Sequence, residues 1–152
     1  MPVTENTARK ETPPSFDFAH FLASYRGGIS PEEGMALARY AAAIDYGDIV
    51  EIGSYRGKSA VALAHGLHDN PDSQSRIVWV EPHANFTGVY GGVFGAEDRG
   101  DFYRIMVDTG YYDRVSLISL KSEAAARAWS GPIGLLFIDG DHSREGVQND
   151  IE

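Results

Sequence analysis

The sequence predicts an α/β fold in which helices cover a parallel β-sheet. Four short apolar segments, each ending at polar or glycine residues, alternate with segments whose apolar residues recur at helical spacing. Strands that alternate with helices form βαβ units, and such units pair their strands in parallel. The 152 residues show no linker or internal repeat, so a single domain is expected.

The elements follow one another in a regular order. Residues 1–15 are polar, aperiodic and rich in proline, which predicts a flexible leader. Residues 16–25 place aromatic side chains at helical spacing. The segment Ser30-Pro31-Glu32-Glu33 has the cap, proline and glutamate that open a helix running to about Ile44. Strands are then predicted at 48–52, 76–80, 115–120 and 135–138, and helices at 58–67, 97–109 and 123–129.

The composition excludes several classes of function. With 13 basic and 22 acidic residues the formal net charge is −9, so a nucleic-acid backbone would be repelled. The chain has no cysteine, which excludes disulfides, thiolate metal sites and cysteine nucleophiles. Because no apolar run approaches about 18 residues and no signal-peptide pattern opens the chain, we expect a cytoplasmic protein that does not bind membranes.

A glycine-containing segment, EIGSYRGKS at 51–59, lies between the first predicted strand and a helix. It can be interpreted as a βα turn that needs positive φ, or as a ligand site at a helix N-terminus. The spacer Ser54-Tyr55-Arg56 is one residue too short for a Walker loop, and the middle glycine of the dinucleotide fingerprint is missing. The acid Glu51, which would repel phosphate, favours a cationic ligand without phosphate.

Glu81 ends the second predicted strand, 24 residues beyond Gly57. An acid at this place in a βαβ unit commonly accepts hydrogen bonds from ribose hydroxyls, although exposed glutamates at strand ends are also common. Together with Glu51, it describes a nucleoside site without pyrophosphate. S-adenosylmethionine, which carries a ribose and a charged amino acid, fits this description.

Residues 135–142, LLFIDGDH, have the pattern of a buried strand that ends at functional residues. Ligands gather at the carboxyl ends of strands in open α/β sheets. Asp139, Asp141 and His142 suit a divalent cation, and an acid or the imidazole could accept a proton. Alternatively they cap the following helix. A D-x-D motif for nucleotide sugars is disfavoured by the acids at 51 and 81.

Three segments together resemble the class I S-adenosylmethionine-dependent methyltransferases: VEIGSYRGKS at 50–59, VEP at 80–82 and FIDGDHSREGVQNDI at 137–151. The likeness is to the branch of sugar and macrolide O-methyltransferases and cephalosporin-hydroxylase-like proteins. It spans about 30–152. It implies a Rossmann-like, doubly wound sheet of seven strands, of which this chain has the first four, in the order 3-2-1-4. The domain at 16–152 is therefore expected to be truncated at its C-terminal end.

The resemblance also implies roles for individual residues. It is weaker near the adenine, because Lys121 stands where many members have glycine. Asp139 would face the sulfonium and, in metal-dependent members, would ligate Mg²⁺. Asp141 or His142 would lie near the substrate hydroxyl as catalytic residues. The remaining expected cofactor-binding residues are Glu51, Gly53 and Gly57 at the methionine, Ser54 and Ser59 along the same turn, Glu81 at the ribose and Ser122 near the adenine.

Three functions follow from these observations. The leading hypothesis is O-methylation of a small polar acceptor. A module that binds S-adenosylmethionine without turnover is the second, and a P-loop-like nucleotide hydrolase built on Lys58 is the third. The fourth strand would be a bare apolar edge, so pairing with a second copy there is an expectation. The long aromatic loop at 84–96 is expected to be an acceptor lid or an interface.

Overall fold

A computed structural model describes residues 16–151 of the chain, so the leader predicted at 1–15 lies outside the described residues. The helices within this range are α1 (Phe18–Ser24), α2 (Pro31–Ala42), α3 (Lys58–His68), α4 (Ala96–Thr109), α5 (Ser122–Arg127) and α6 (Arg144–Ile151). The strands are β1 (Asp48–Ile52), β2 (Ile77–Val80), β3 (Phe86–Thr87), β4 (Val93–Phe94), β5 (Val115–Ile118) and β6 (Ile133–Ile138).

The four longer strands form one parallel sheet in the order β5-β2-β1-β6. This confirms the predicted α/β class and the predicted order 3-2-1-4. The central strand β1 pairs with β2 on one side and β6 on the other, so that Glu51 stands between Trp79 and Phe137. The carboxyl ends of all four strands therefore meet at one edge of the sheet.

The two faces of the sheet are covered unequally. On the first face, Ile49, Ile77 and Trp79 pack with α1–α4 in a large apolar core. On the second face, Val50 and Val80 contact a small cluster around α5. The edge strand β6 leaves Ile133 and Leu136 exposed, as the sequence predicts for its fourth strand. Pairing with a second copy at that edge stays a prediction.

Helices α2 and α3 form the main helical layer on the first face. Ser30 caps α2 in the predicted way, because its hydroxyl accepts from the Glu33 amide while the Glu33 carboxylate accepts from the Ser30 amide. The two helices approach closely at Gly66, where a Cβ atom would collide with the carbonyl group of Ala38. Small residues at this crossing thus fix how α3 sits over the sheet.

The segment at 84–96 was expected to be a loop but contains a hairpin of β3 and β4. Its strands are two residues long, too short for an alternating pattern to be visible in the sequence. The rings of Phe86 and Phe94 stack across it, with centroids 4.7 Å apart. None of the helices in the range 16–151 is long and apolar enough to cross a membrane.

Replacing Gly66 with alanine should lower the free energy of unfolding by about 1–3 kcal/mol, because the added methyl group forces α2 and α3 apart. Gly100 provides the matched control, since it lies inside α4 and no atom would approach its Cβ within 4 Å. Gly100→Ala should instead stabilise the chain by about 0.5–1 kcal/mol through helix propensity. Urea unfolding measures both, and equal effects of the two substitutions would contradict the packing account.

Candidate functional site

The turn between β1 and α3 has a backbone that depends on glycine. Gly53 and Gly57 have φ of 86° and 91°, and Tyr55 between them also has a positive φ of 45°. A Cβ atom at Gly53 would collide with the carbonyl of Asp139 and stand 2.5 Å from the Cα of Gly140. The glycine therefore lets the turn contact the end of β6, which brings two predicted site segments together.

Glu81, at the end of β2, holds the same turn in place. One of its carboxylate oxygens accepts from the backbone amides of Ser54 and Tyr55, at 3.1 and 3.3 Å, and the other accepts from the amide of His83 at 2.7 Å. The turn amides that a phosphate would need are therefore engaged by a carboxylate. The sequence predicted the ribose contact of Glu81, which stays a prediction, but not this contact with the backbone.

The position of Lys58 bears on the hypothesis of a nucleotide hydrolase. A P-loop lysine must reach the phosphates of its ligand. Here the residue is buried, and its side chain packs on the α1–α2 connection, where a Cβ atom at Gly27 would stand 2.5 Å from the Cβ of Lys58. Together with the engaged turn amides, this packing disfavours a phosphate-binding loop.

Glu51 is fully buried below the glycine turn, where the hydroxyls of Ser59 and Ser54 lie against its carboxyl and, among residues 16–151, no cationic side chain pairs with it. Burial raises the pKa of Glu51 to about 8, and the nearby carboxylates of Asp139 and Glu81 act in the same direction. The neighbouring hydroxyls of Ser59 and Ser54 lower it only in part. Ionising a buried carboxyl that has no cationic partner costs free energy, and a bound cationic group would offset that cost.

The acids after β6 differ in their surroundings. Asp139 is half-buried, which raises its pKa, and one of its oxygens lies 3.3 Å from Nε2 of His142. Asp141 accepts hydrogen bonds from the amide and hydroxyl of Ser143, which lower its pKa. Ser143 in turn caps α6 by accepting from the amide of Gly146. Asp141 therefore contributes to the cap of α6 through Ser143, which is close to the capping alternative. That alternative does not describe Asp139 and His142. The catalytic role of Asp141 stays a prediction.

The hydroxyl of Ser122 is already engaged in a hydrogen bond and is not a free donor for a ligand. It donates to the carboxylate of Asp150 at 2.6 Å and joins the start of α5 to α6. Beside it, between the ends of β2 and β5, lies a cavity of about 540 Å³. The sequence missed most of the residues that line this cavity, which are Pro82, Ser119, Leu120, Lys121, Glu123, Ala124 and Arg127.

A magnesium ion would need several oxygen ligands arranged around one point. Among residues 16–151, no three acidic or histidine side chains converge in this way. Near Asp139 the structure places His142, whereas the carboxylate of Asp141 is engaged by Ser143. These residues alone do not provide the oxygen ligands that Mg²⁺ needs. The metal role of Asp139 therefore stays a prediction.

The sequence did not predict the individual contacts that aromatic residues make beside the site. Tyr55 of the glycine turn packs edge-on against Phe94 of the hairpin, with ring centroids 5.0 Å apart. Tyr90, at the far end of the hairpin, lies 6.4 Å from the ring of His142. The only signal in the sequence was the glycine- and aromatic-rich composition of 84–96.

A family model described as a methyltransferase domain matches residues 50–152, which is more than half of the chain. The chain belongs to this methyltransferase domain family. The match confirms the resemblance drawn from the three motifs, and it covers every residue predicted for the site. It begins at β1 and so includes the glycine turn, the hairpin and the acids after β6.

Solved structures agree on the fold of this methyltransferase domain. Cofactor-bound Rv0187 from MTB matches with a TM-score of 0.60 and 23% identity, covering 88% of this chain and 56% of that one. The SAH-bound Podospora anserina methyltransferase PaMTH1 matches with 0.64 and 20%, covering 99% and 64%. The Bacillus cereus O-methyltransferase in complex with SAH matches with 0.59 and 21%, covering 88% and 55%. The chain thus spans little more than half of the length of these proteins.

Glu51 should make the stability of the methyltransferase domain depend on pH. The folded chain keeps the Glu51 proton up to about pH 8, whereas the unfolded chain releases it near its ordinary pKa of 4.5. Stability therefore falls as pH rises between these values. Glu51→Gln should remove this fall and exceed the wild type by up to about 4 kcal/mol at pH 8, with little difference at pH 5.

Urea unfolding between pH 5 and pH 8 measures this effect. Asp72→Asn is the control, because it removes a carboxylate from an exposed loop away from the site. An equal pH dependence in the wild type and in Glu51→Gln would contradict a protonated, buried Glu51.

Proposed function

We propose that this methyltransferase domain binds S-adenosylmethionine at the glycine turn and transfers its methyl group to a hydroxyl oxygen of a small polar acceptor. The observation that carries the proposal is the buried carboxyl of Glu51, which no cationic side chain among residues 16–151 balances and which lies below the turn. Family membership and the fold it shares with cofactor-bound and SAH-bound proteins support the choice of ligand.

The charge around the turn suits the amino-acid end of this ligand. Glu51, Glu81 and Asp139 lie close enough for their charges to act on one another. The charges of Glu81 and Asp139, joined by that of Glu51 once it ionises, attract a cation and disfavour phosphate. An ammonium group would favour the ionised form of Glu51 and offset the cost of burying it. The buried hydroxyl of Ser54, which lies against the Glu51 carboxyl, supplies a further acceptor at the same place.

The nucleoside end would lie toward β2 and β5. The carboxylate of Glu81 accepts three backbone hydrogen bonds, and its two oxygens have about four lone-pair sites, so it can still accept from a ribose hydroxyl. The cavity of about 540 Å³ beside Pro82 and Leu120 has space for a planar base. In this arrangement Ser122 contributes through the position of α5 and not through its own hydroxyl.

The acceptor end would lie at Asp139 and His142. When bound, S-adenosylmethionine would supply an electrophilic methyl group, which would pass from its sulfur to the acceptor oxygen. His142 accepts the hydroxyl proton, and the carboxylate of Asp139, 3.3 Å from Nε2, stabilises the imidazolium that results. Holding the hydroxyl in line with the methyl group is the main contribution of the protein.

A second candidate function is cofactor binding without turnover. It is favoured by one observation, that the carboxylate of Asp141, a residue expected at the substrate hydroxyl, is engaged by Ser143. The glycine turn, Glu81 and the cavity would then serve binding alone. The two candidates share the same cofactor site and differ only in whether methyl transfer follows.

Calorimetry should detect binding of SAH, the demethylated product, to the wild-type chain. Glu51→Gln should weaken that binding by about tenfold or more, because a charge-assisted contact with the ammonium group is lost. At pH 7 the wild type should also release close to one proton per ligand, since Glu51 ionises on binding. That release appears as a binding enthalpy that changes with the ionisation enthalpy of the buffer.

The exposed-loop variant Asp72→Asn serves again as the control and should retain both the affinity and the proton release. No binding of SAH by the wild-type chain would refute the proposed cofactor. Binding that is equally tight in Glu51→Gln, with no release of a proton, would refute the role given to Glu51.

Transfer of labelled methyl from S-adenosylmethionine to a mixture of D-glucose, glycerol and 2-naphthol distinguishes the two candidates. If the chain turns over, His142→Asn should slow transfer by about 10²–10⁴-fold while leaving SAH affinity unchanged. His68→Asn is the matched control, because this exposed histidine ends α3 at the opposite edge of the sheet. SAH binding without transfer to any of the three probes would favour the second candidate.

A further inference from the structure

The hairpin formed by β3, β4 and their connection, residues 86–94, is built from aromatic and small residues. Phe86 and Phe94 stack with an interplanar angle of 12°, and Phe94 also contacts Tyr55 of the glycine turn. We call this segment the aromatic hairpin. Its base is thus fixed to the turn that forms the candidate cofactor site, so its position relative to that site is defined.

The far end of the aromatic hairpin is apolar and unusually open. Tyr90 is 90% exposed, and Val89 and Val93 beside it are also exposed. The ring of Tyr90 nevertheless lies 6.4 Å from that of His142, at an interplanar angle of 51°. Exposed apolar groups next to a catalytic edge are typical of a surface that a ligand covers.

We propose that the aromatic hairpin binds the acceptor, with Tyr90 stacking on an uncharged aromatic ring whose hydroxyl points toward His142. The inference rests on the proposed methyl transfer, and it replaces the small polar acceptor named there with an aromatic ring that carries one hydroxyl. Tyr90 acts as a specificity-determining residue for that class, and Phe86 and Phe94 hold the hairpin in shape. Offset or edge-on contacts between rings at about 4.5–7 Å are the preferred geometry for such a pair.

The composition of the hairpin argues for a flat, largely apolar acceptor. Between residues 86 and 94, Thr87 and Tyr90 alone have polar side-chain atoms. The several hydroxyls of a sugar would find few partners there, and each unpaired group would reduce affinity. An aromatic ring with one hydroxyl needs only one polar contact, which His142 supplies.

The surrounding charges argue for an uncharged acceptor. Asp139 and Asp141 lie beside His142, and Glu81 lies at the turn. The arginine nearest the hairpin base, Arg56, lies over the ring of Tyr55 and is paired with Asp98 at 2.7 Å. A carboxylate or phosphate on the acceptor would therefore meet these acids, whereas Arg56 is already paired with Asp98.

The test uses the full chain saturated with SAH and three probes, followed by saturation-transfer NMR and fluorescence titration. The probe 2-naphthol is uncharged at neutral pH, 6-hydroxy-2-naphthoate adds a negative charge to the same ring system, and D-glucose replaces the aromatic ring. We expect 2-naphthol to bind, and the other two to bind at least several-fold more weakly.

Three variants show whether Tyr90 makes the contact. Tyr90→Ala should raise the dissociation constant of 2-naphthol about three- to tenfold, whereas Tyr90→Phe should retain wild-type affinity because the ring is kept. Tyr46→Ala is the matched control, since Tyr46 is also an exposed tyrosine but precedes β1, at the opposite end of the sheet. All variants should keep the wild-type affinity for SAH.

The outcomes separate this inference from the proposed function. If the wild-type chain binds no SAH, both are refuted. If SAH binds but 2-naphthol does not, or if Tyr90→Ala and Tyr46→Ala bind 2-naphthol equally well, the inference alone is refuted. A loss of SAH affinity in Tyr90→Ala would also refute it, because Tyr90 would then contact the cofactor.

Discussion

The burial of Glu51 at the centre of the sheet is the constraint on which the rest of the site depends. A buried carboxyl without a cationic partner lowers the stability of a folded chain when it ionises, and the neutral form that burial favours avoids this cost only below about pH 8. A residue of this kind in a central strand is expected where function outweighs packing. Its position below the glycine turn is the basis of the proposed contact with an ammonium group.

Contacts among strand ends build the site around this residue. Gly53 lets the turn after β1 touch the backbone after β6, and Glu81 after β2 accepts from the amides of that turn. In both contacts the turn is held through its backbone, so its geometry is fixed before a ligand binds. They also place the aromatic hairpin, because Tyr55 within the turn contacts Phe94.

The fold could largely be predicted from the sequence, because alternating strands and helices leave few topologies for a parallel sheet. The proximity of Glu51 and Gly53 to Asp139 could also be predicted, because the carboxyl ends of parallel strands meet at one edge of a sheet. The partners of Asp141 and Ser122 could not, since a short polar side chain can bond to its own helix cap or to a distant element with equal ease. The hairpin was missed because two-residue strands leave no periodic pattern.

The most direct test of the account is the ionisation of Glu51 itself, followed through its carboxyl carbon by NMR in a ¹³C-glutamate-labelled chain. We predict a midpoint near pH 8 in the free chain, which falls by about 1–3 pH units when SAH is bound. Glu51→Gln would identify the signal by its disappearance. A midpoint near the ordinary glutamate value of 4.5 in the free chain, or one that SAH leaves unchanged, would contradict the central role of this residue.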